Sequence, residues 1–170
     1  HAQLSIFRGL SRNRRATVVG GAGTGKTALA LEKAKRLASE GFETLLTCFN
    51  KPLVEHLKGR CQDVDGLTVR TFHDHCVQMA RQASIPIPEL DGNLAPLPQF
   101  WDVRVPELLL EALVALPDVR FDAIVIDEAQ DISDEWFEFL KLYLRDPDSG
   151  VLYAFEDPSQ AIYQEPRAPA

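Results

Sequence analysis

Cysteine is scarce in this 170-residue chain, with only Cys48, Cys61 and Cys76 and no C-x-x-C pair among them. An odd, widely spaced set of three excludes a disulfide framework and a paired-cysteine zinc site, so the thiols read as reduced. Long apolar runs are missing as well. "LLL" at Leu108 to Leu110 and "AIVI" at Ala123 to Ile126 fall far short of the roughly 20 residues that cross a bilayer, and no membrane partner is expected. The opening "HAQLSIFRG" lacks the charged flank, apolar stretch and cleavage site of a secretory signal. A cytoplasmic setting is expected. There is no internal repeat and no low-complexity tract.

At 45% hydrophobic residues the chain can bury one core but is short for two ordinary domains, and a single domain over residues 1–170 is expected. The formal charge is −7, unevenly spread. Residues 1–88 carry 13 Lys+Arg against 7 Asp+Glu, a formal +6, and residues 89–170 carry 5 against 18, a formal −13. Such halves read as a basic face that meets an anion and an acidic region elsewhere, or as ordinary solvated surfaces.

Short β-branched runs alternate with helical patterns. Ala16 to Val19 reads as a strand, followed by glycines and a helix with Ala30, Ala34, Leu37 and Ala38 on one face, ended by Gly41. Thr44 to Phe49 reads as a second strand, and Pro52 suits the first turn of a helix reaching Gly59. Leu67 to Arg70 is a third strand, with Thr71 capping a helix that runs to Gln82. Five prolines between residues 84 and 106 mark a surface insertion or arm. An amphipathic helix to Leu116, a buried strand from Phe121 to Ile126, a helix opened by Ser133 and a last strand from Val151 to Phe155 complete the order. The fold class predicted is α/β: a parallel sheet of about five strands with helices on both faces.

Gly20, Gly25, Lys26 and Thr27 satisfy G-x-x-x-x-G-K-[ST], between a strand and a helix as the phosphate-binding loop requires. Glycines let backbone N–H groups wrap an anion at the positive end of a helix. The loop Gly20, Gly21, Ala22, Gly23, Thr24, Gly25, Lys26, Thr27 and Ala28 is therefore the expected ATP site. Lys26 would contact the terminal phosphates, and the Thr27 hydroxyl would coordinate Mg²⁺. No acidic residue precedes Glu32, which favours anion approach. In "AIVIDEAQD", Asp127 leaves a buried strand at its carboxyl end as a Mg²⁺ ligand, with Glu128 beside it as general base. Such a carboxylate can also simply cap the next helix.

These motifs, with "EDPSQAIY" at Glu156 to Tyr163, "CFNKPL" at Cys48 to Leu53 and "TFHDHC" at Thr71 to Cys76, resemble the superfamily I helicases of the UvrD/Rep kind. The resemblance spans nearly the whole chain and is nearest to the helicase-like ATPases joined to nuclease-related domains. It implies a P-loop, RecA-like fold that couples Mg-ATP hydrolysis to movement on single-stranded DNA or RNA. By the same resemblance, Gln3 contacts adenine, Gln160 senses the γ-phosphate, Gln130 links the nucleotide to the last motif and Asp157 organises its loop. Phe49, Asn50, Lys51, Thr71, Phe72, His73 and Tyr163 would face the single strand through backbone contacts and stacking. Phe49 and Phe72 have a second reading as core residues, and Tyr163 as packing beneath the sheet edge. His73 and His75, two apart on a helix, point in different directions and are not read as a metal site with Cys76.

The chain also departs from the family's pattern. Motifs IV to VI are not present, so a fragment of a longer protein with a second RecA-like domain is expected, and weak hydrolysis by this part alone. Arg167 is the only arginine beyond residue 145 and is not assigned as an arginine finger, a group worth about 10³ to 10⁵ in rate. The last motif lacks the family's tryptophan and arginine, which weakens the case for a base-stacking platform, and the proline-rich insertion is too short for the family's helical accessory domain, which puts unwinding in doubt. A nucleotide switch acting on a partner or attached nuclease is the alternative function.

Overall fold

The computed structural model describes residues 14–87 and 103–159. Their strands are β1 (Arg15–Val19), β2 (Thr44–Cys48), β3 (Leu67–Thr71), β4 (Ala123–Ile126) and β5 (Val151–Glu156). Their helices are α1 (Lys26–Ser39), α2 (Lys51–Gly59), α3 (Phe72–Gln82), α4 (Val105–Ala115) and α5 (Asp134–Lys141). The sheet is parallel throughout, in the order β1-β5-β4-β2-β3. Strands β2 and β4 are buried along their whole length, as a parallel sheet covered on both faces demands, and β5 along all but its last residue.

Alternation along the strands divides the core in two. Leu45, Ile124, Ile126, Leu152 and Ala154 join Phe72, Cys76, Leu109 and Leu140 from α3, α4 and α5 on one face. Leu46, Val125, Tyr153 and Phe155 join Leu29, Ala34, Leu37, Val54 and Leu57 from α1 and α2 on the other. Both faces therefore carry helices, and the parallel order sends every strand's carboxyl end to the same edge. At that edge lie the glycine loop, the acidic pair and the segments after β2 and β3.

Caps match the sequence signals. Thr71 Oγ1 accepts from the Asp74 N–H at 3.0 Å to open α3, and Ser133 Oγ accepts from the Trp136 N–H at 3.3 Å to open α5. Most strand ends fall within one residue of expectation, and two boundaries differ by more than one. The irregular stretch does not reach residue 106, because α4 already begins at Val105 with Pro106 in its first turn, where a missing N–H costs nothing; residues 88–102 lie outside the described residues. The fourth strand starts at Ala123 rather than Phe121. Phe121 makes only an isolated bridge to Leu144, and the Asp122 side chain accepts from the Glu43 N–H at 2.9 Å and pairs with Arg145 at 2.8 Å.

Candidate functional site

The loop after β1 is fastened at both ends. Gly20 donates its N–H to the Glu156 carbonyl at 3.1 Å, holding the loop to the end of β5, and Thr24 Oγ1 donates to the Gly21 carbonyl at 2.8 Å. A Cβ on Gly20 would stand 2.9 Å from Thr24 Oγ1, so a side chain there would have to push the Thr24 hydroxyl from its place. Gly25, the N-cap of α1, takes φ 81, a left-handed conformation that side chains resist. No side chain caps α1 and no acidic residue occupies its first turn. The first-turn amides of Lys26, Thr27 and Ala28 are left to an outside acceptor at the positive end of the helix, as an anion site requires.

Lys26 is buried and folds back on its own loop, donating through Nζ to the carbonyls of Gly20 and, at 2.7 Å, of Gly21. The same Nζ lies 3.7 Å from Asp157 Oδ2. Ser159 is the main reason that the Asp157 carboxyl is held below its ordinary value, with the Lys26 charge adding to it. Ala22, Gly23, Gly25, Lys26, Thr27, Glu128 and Asp157 line a cleft of about 280 Å³.

Asp127 continues the line of β4 and is fully buried. Its N–H donates to the Thr47 carbonyl at 2.9 Å, and its Oδ1 accepts from the Glu128 N–H at 3.1 Å. Its Oδ2 is buried with no hydrogen-bond partner. Burial pushes this carboxyl above its ordinary value, and the adjacent Glu128 charge adds to the rise. The Thr27 side chain and the Lys26 charge pull it back. A buried carboxylate oxygen with a spare lone pair, beside a hydroxyl at a phosphate loop, is a hard-oxygen donor set that fits Mg²⁺. Thr27 and Asp127 are the residues that would hold it.

Glu128 is a non-glycine residue at φ 53 and ψ 47. Its Oε2 accepts from Gln130 Nε2 at 2.5 Å, and Gln130 Oε1 accepts from the Asp157 N–H at 3.0 Å. The two partners fix the amide: only its NH₂ can face the carboxylate, and only its oxygen can face the N–H. A 3₁₀ turn, Ala129–Asp131, makes this reach possible by curling the chain back toward the end of β5.

The other expected site residues divide. Asn50 and Lys51 are exposed, and Asn50 Oδ1 accepts from the Leu53 N–H at 3.1 Å as the cap of α2. Phe49 and His73 are half-buried at the same edge. Phe72 is corrected from the single-strand face to its second reading, a core residue: it is fully buried, in one cluster with Leu45, Cys76 and Ile126. Thr71 is buried too, with its hydroxyl engaged as a cap. Gln3, Gln160 and Tyr163 lie outside the described residues.

Sequence reasoning missed Trp136. Its ring stacks on Phe49 at 5.4 Å and 12° and on Phe72 at 5.1 Å and 14°. A signal was available, because Trp136 and Leu140 fall four apart on α5 and share its inward face. The contact of Lys26 with Asp157 had no local signal.

Among the described residues no helix is long and apolar enough to cross a membrane. A comparison with curated proteins gave no match. The family model of the AAA domain matches residues 3–166. With the parallel sheet, the clasped glycine loop and the acidic pair across from it, that match establishes that the chain belongs to the AAA domain family of P-loop nucleotide-binding proteins.

Proposed function

We propose that this chain is the ATP-binding RecA-like domain of a superfamily I helicase or helicase-like ATPase, which drives movement on single-stranded DNA. The observation that carries the reading is the hydrogen-bonded line Glu128–Gln130–Asp157, which ends on Lys26. One side chain ties the proposed catalytic carboxylate to the loop after β5, so a change at the phosphates is felt in a second loop. The exposed Asn50 and Lys51 and the half-buried Phe49 and His73 follow β2 and β3 at the same edge, a mixture of cationic, polar and aromatic groups suited to a single strand.

In this reading the amides of the glycine loop and Lys26 bind and orient the triphosphate. Thr27 and Asp127 hold Mg²⁺, which when bound offsets charge on the phosphate oxygens. Glu128 accepts the proton of the water whose oxygen bonds to the γ-phosphorus as the bond to the β-phosphate oxygen breaks. Gln130 aims Glu128. Gln160 would read the γ-phosphate, Gln3 the adenine, and Tyr163 would join the strand-binding face. A second RecA-like domain would bring arginines to the γ-phosphate.

The test is the steady-state ATPase rate with and without oligothymidylate, on protein carrying both RecA-like domains. Stimulation of tenfold or more by the oligonucleotide is expected. An ATPase indifferent to single strands would overturn the motor and leave a nucleotide switch that acts on a partner or attached nuclease.

A further inference from the structure

Four aromatic rings from three elements meet behind the sheet edge. Phe49 follows β2, Phe72 and His73 open α3, and Trp136 lies in the first turn of α5. Phe49, Phe72 and Trp136 are near parallel, with centroids 5.1 to 5.5 Å apart, and His73 meets all three edge on at 5.1 to 5.7 Å. Parallel and edge-on arrangements are the favoured geometries of aromatic quadrupoles, so the cluster has one preferred packing rather than a loose one. Phe72 is fully buried and serves as its fixed floor, while Phe49, His73 and Trp136 are only half-buried.

The other end of this cluster is the nucleotide site. Trp136 is joined to Glu128 by a short, closely bonded segment. Asp131 N–H donates to the Glu128 carbonyl at 3.0 Å, Ile132 N–H to the Ala129 carbonyl at 3.1 Å, and Trp136 N–H to Ser133 Oγ at 3.3 Å. Ala129 and Ile132 are fully buried in the same core as Phe72. At the start of this segment Glu128 holds a left-handed backbone that a Cβ disfavours, a strained conformation of the kind found at switch regions. These bonds tie the segment together from Glu128 onward, and its far end is the indole against Phe49 and His73.

We propose that Trp136 is a positioning residue that couples the state of Glu128 to the face formed by Phe49 and His73, and thereby sets how nucleotide changes affinity for a single strand. The proposal rests on the reading of this edge as a nucleic-acid face. It assigns to α5 a role in communication that neither the glycine loop nor the acidic pair supplies.

The test has two parts. First, the affinity of fluorescein-labelled oligothymidylate is measured with and without Mg²⁺ and a non-hydrolysable ATP analogue. In the unaltered chain the nucleotide should change that affinity by roughly 5- to 150-fold, the usual span of coupling between sites. Trp136→Ala should reduce the change to less than about twofold while analogue affinity is kept within about threefold, and Trp136→Phe, which keeps a ring in the stack, should retain most of it. Far-UV circular dichroism shows that each variant is folded, and Trp136→Leu, which fills the space without a ring and should lose the coupling as the alanine does, carries the comparison if the alanine variant is not. Full coupling in folded Trp136→Ala, or none in the unaltered chain, overturns the proposal.

Second, Trp101→Phe leaves Trp136 as the only tryptophan of the two in the sequence. Its emission should shift when the Mg²⁺-analogue binds without any oligonucleotide. A shift together with no oligothymidylate binding at all would support the link from Glu128 to Trp136 and overturn the nucleic-acid reading on which the face depends. Unchanged emission with the analogue bound overturns the link itself.

Discussion

Lys26 Nζ lies 3.7 Å from Asp157 Oδ2, with 8% and 1% of the respective side chains exposed. A cation confined this tightly is satisfied by the carboxylate and by the carbonyls of its own loop. In the proposed reading, phosphate oxygens would replace the carbonyls as its acceptors, with Asp157 balancing the charge until they arrive. The lysine is thus stored in place, next to the amides of the α1 first turn.

Lys26→Ala removes the one side chain that reaches from the helix into the loop. Charged hydrogen bonds contribute about 1.5–3 kcal/mol each, so the dissociation constant for Mg-ATP should rise by roughly 10- to 150-fold or more. Isothermal titration calorimetry reads this directly. Binding within a factor of three of the unaltered chain would mean that the loop holds something other than phosphates.

Glu128→Gln keeps the shape of the side chain and removes the proposed base. Analogue affinity should stay within about threefold, and turnover should fall by about 10² to 10⁴. Gln130→Ala should lower turnover less, because Glu128 remains but is no longer aimed. A single-turnover assay on protein with both RecA-like domains separates the two. Equal, undiminished rates in both variants would remove the acid from the mechanism.

Asp127→Asn tests the cost of a buried carboxylate. Burial holds the folded-state value above the unfolded one, so ionised Asp127 weakens the fold at neutral pH, and that cost disappears as pH falls and the group is protonated. The asparagine variant without ligand should melt higher, by roughly 1 kcal/mol or about 2–4 °C for a domain of this size, yet lose the Mg²⁺ dependence of nucleotide binding. A lower melting temperature with Mg²⁺ dependence intact would contradict both halves.

His75 gives the fold a pH dependence of its own. It is fully buried between Phe121 and Tyr143, and neither ring nitrogen has a hydrogen-bond partner. Burial first, and the Arg70 charge second, push it down to about 3. The unfolded histidine titrates near 6.5, so below that pH the unfolded chain takes up a proton that the folded one does not, and stability falls as pH drops from about 6.5 toward 3. Between pH 7 and pH 5 the loss from this group is about 2 kcal/mol. Urea midpoints at the two pH values should differ by that amount in the unaltered chain and by much less in His75→Leu. Identical pH slopes would place the effect elsewhere.

The features legible in the sequence are those written in neighbouring residues. Strands β1 to β5 were readable because each is a short, largely apolar run next to a helical pattern, and the helix starts carry capping residues such as Thr71 and Ser133. The glycine loop and Asp127 with Glu128 were readable because spacing alone fixes them at strand ends. What the sequence concealed depends on strand order. Placing β5 between β1 and β4 brings Asp157 to Lys26, and Gln130 to the Asp157 amide. No periodicity announces either meeting. Phe72 was ambiguous for a related reason: a phenylalanine at a helix start can face either way, and only the packing of α3 on Leu45 and Ile126 decides it.

The most direct measurement is a crystal structure of this chain with Mg²⁺ and a non-hydrolysable ATP analogue. Phosphate oxygens should lie within hydrogen-bond reach of the amides at Gly23 to Thr27 and of Lys26 Nζ, with the metal on Thr27 Oγ1 and Asp127 Oδ2. Nucleotide bound elsewhere, or a metal that touches neither residue, would contradict the account.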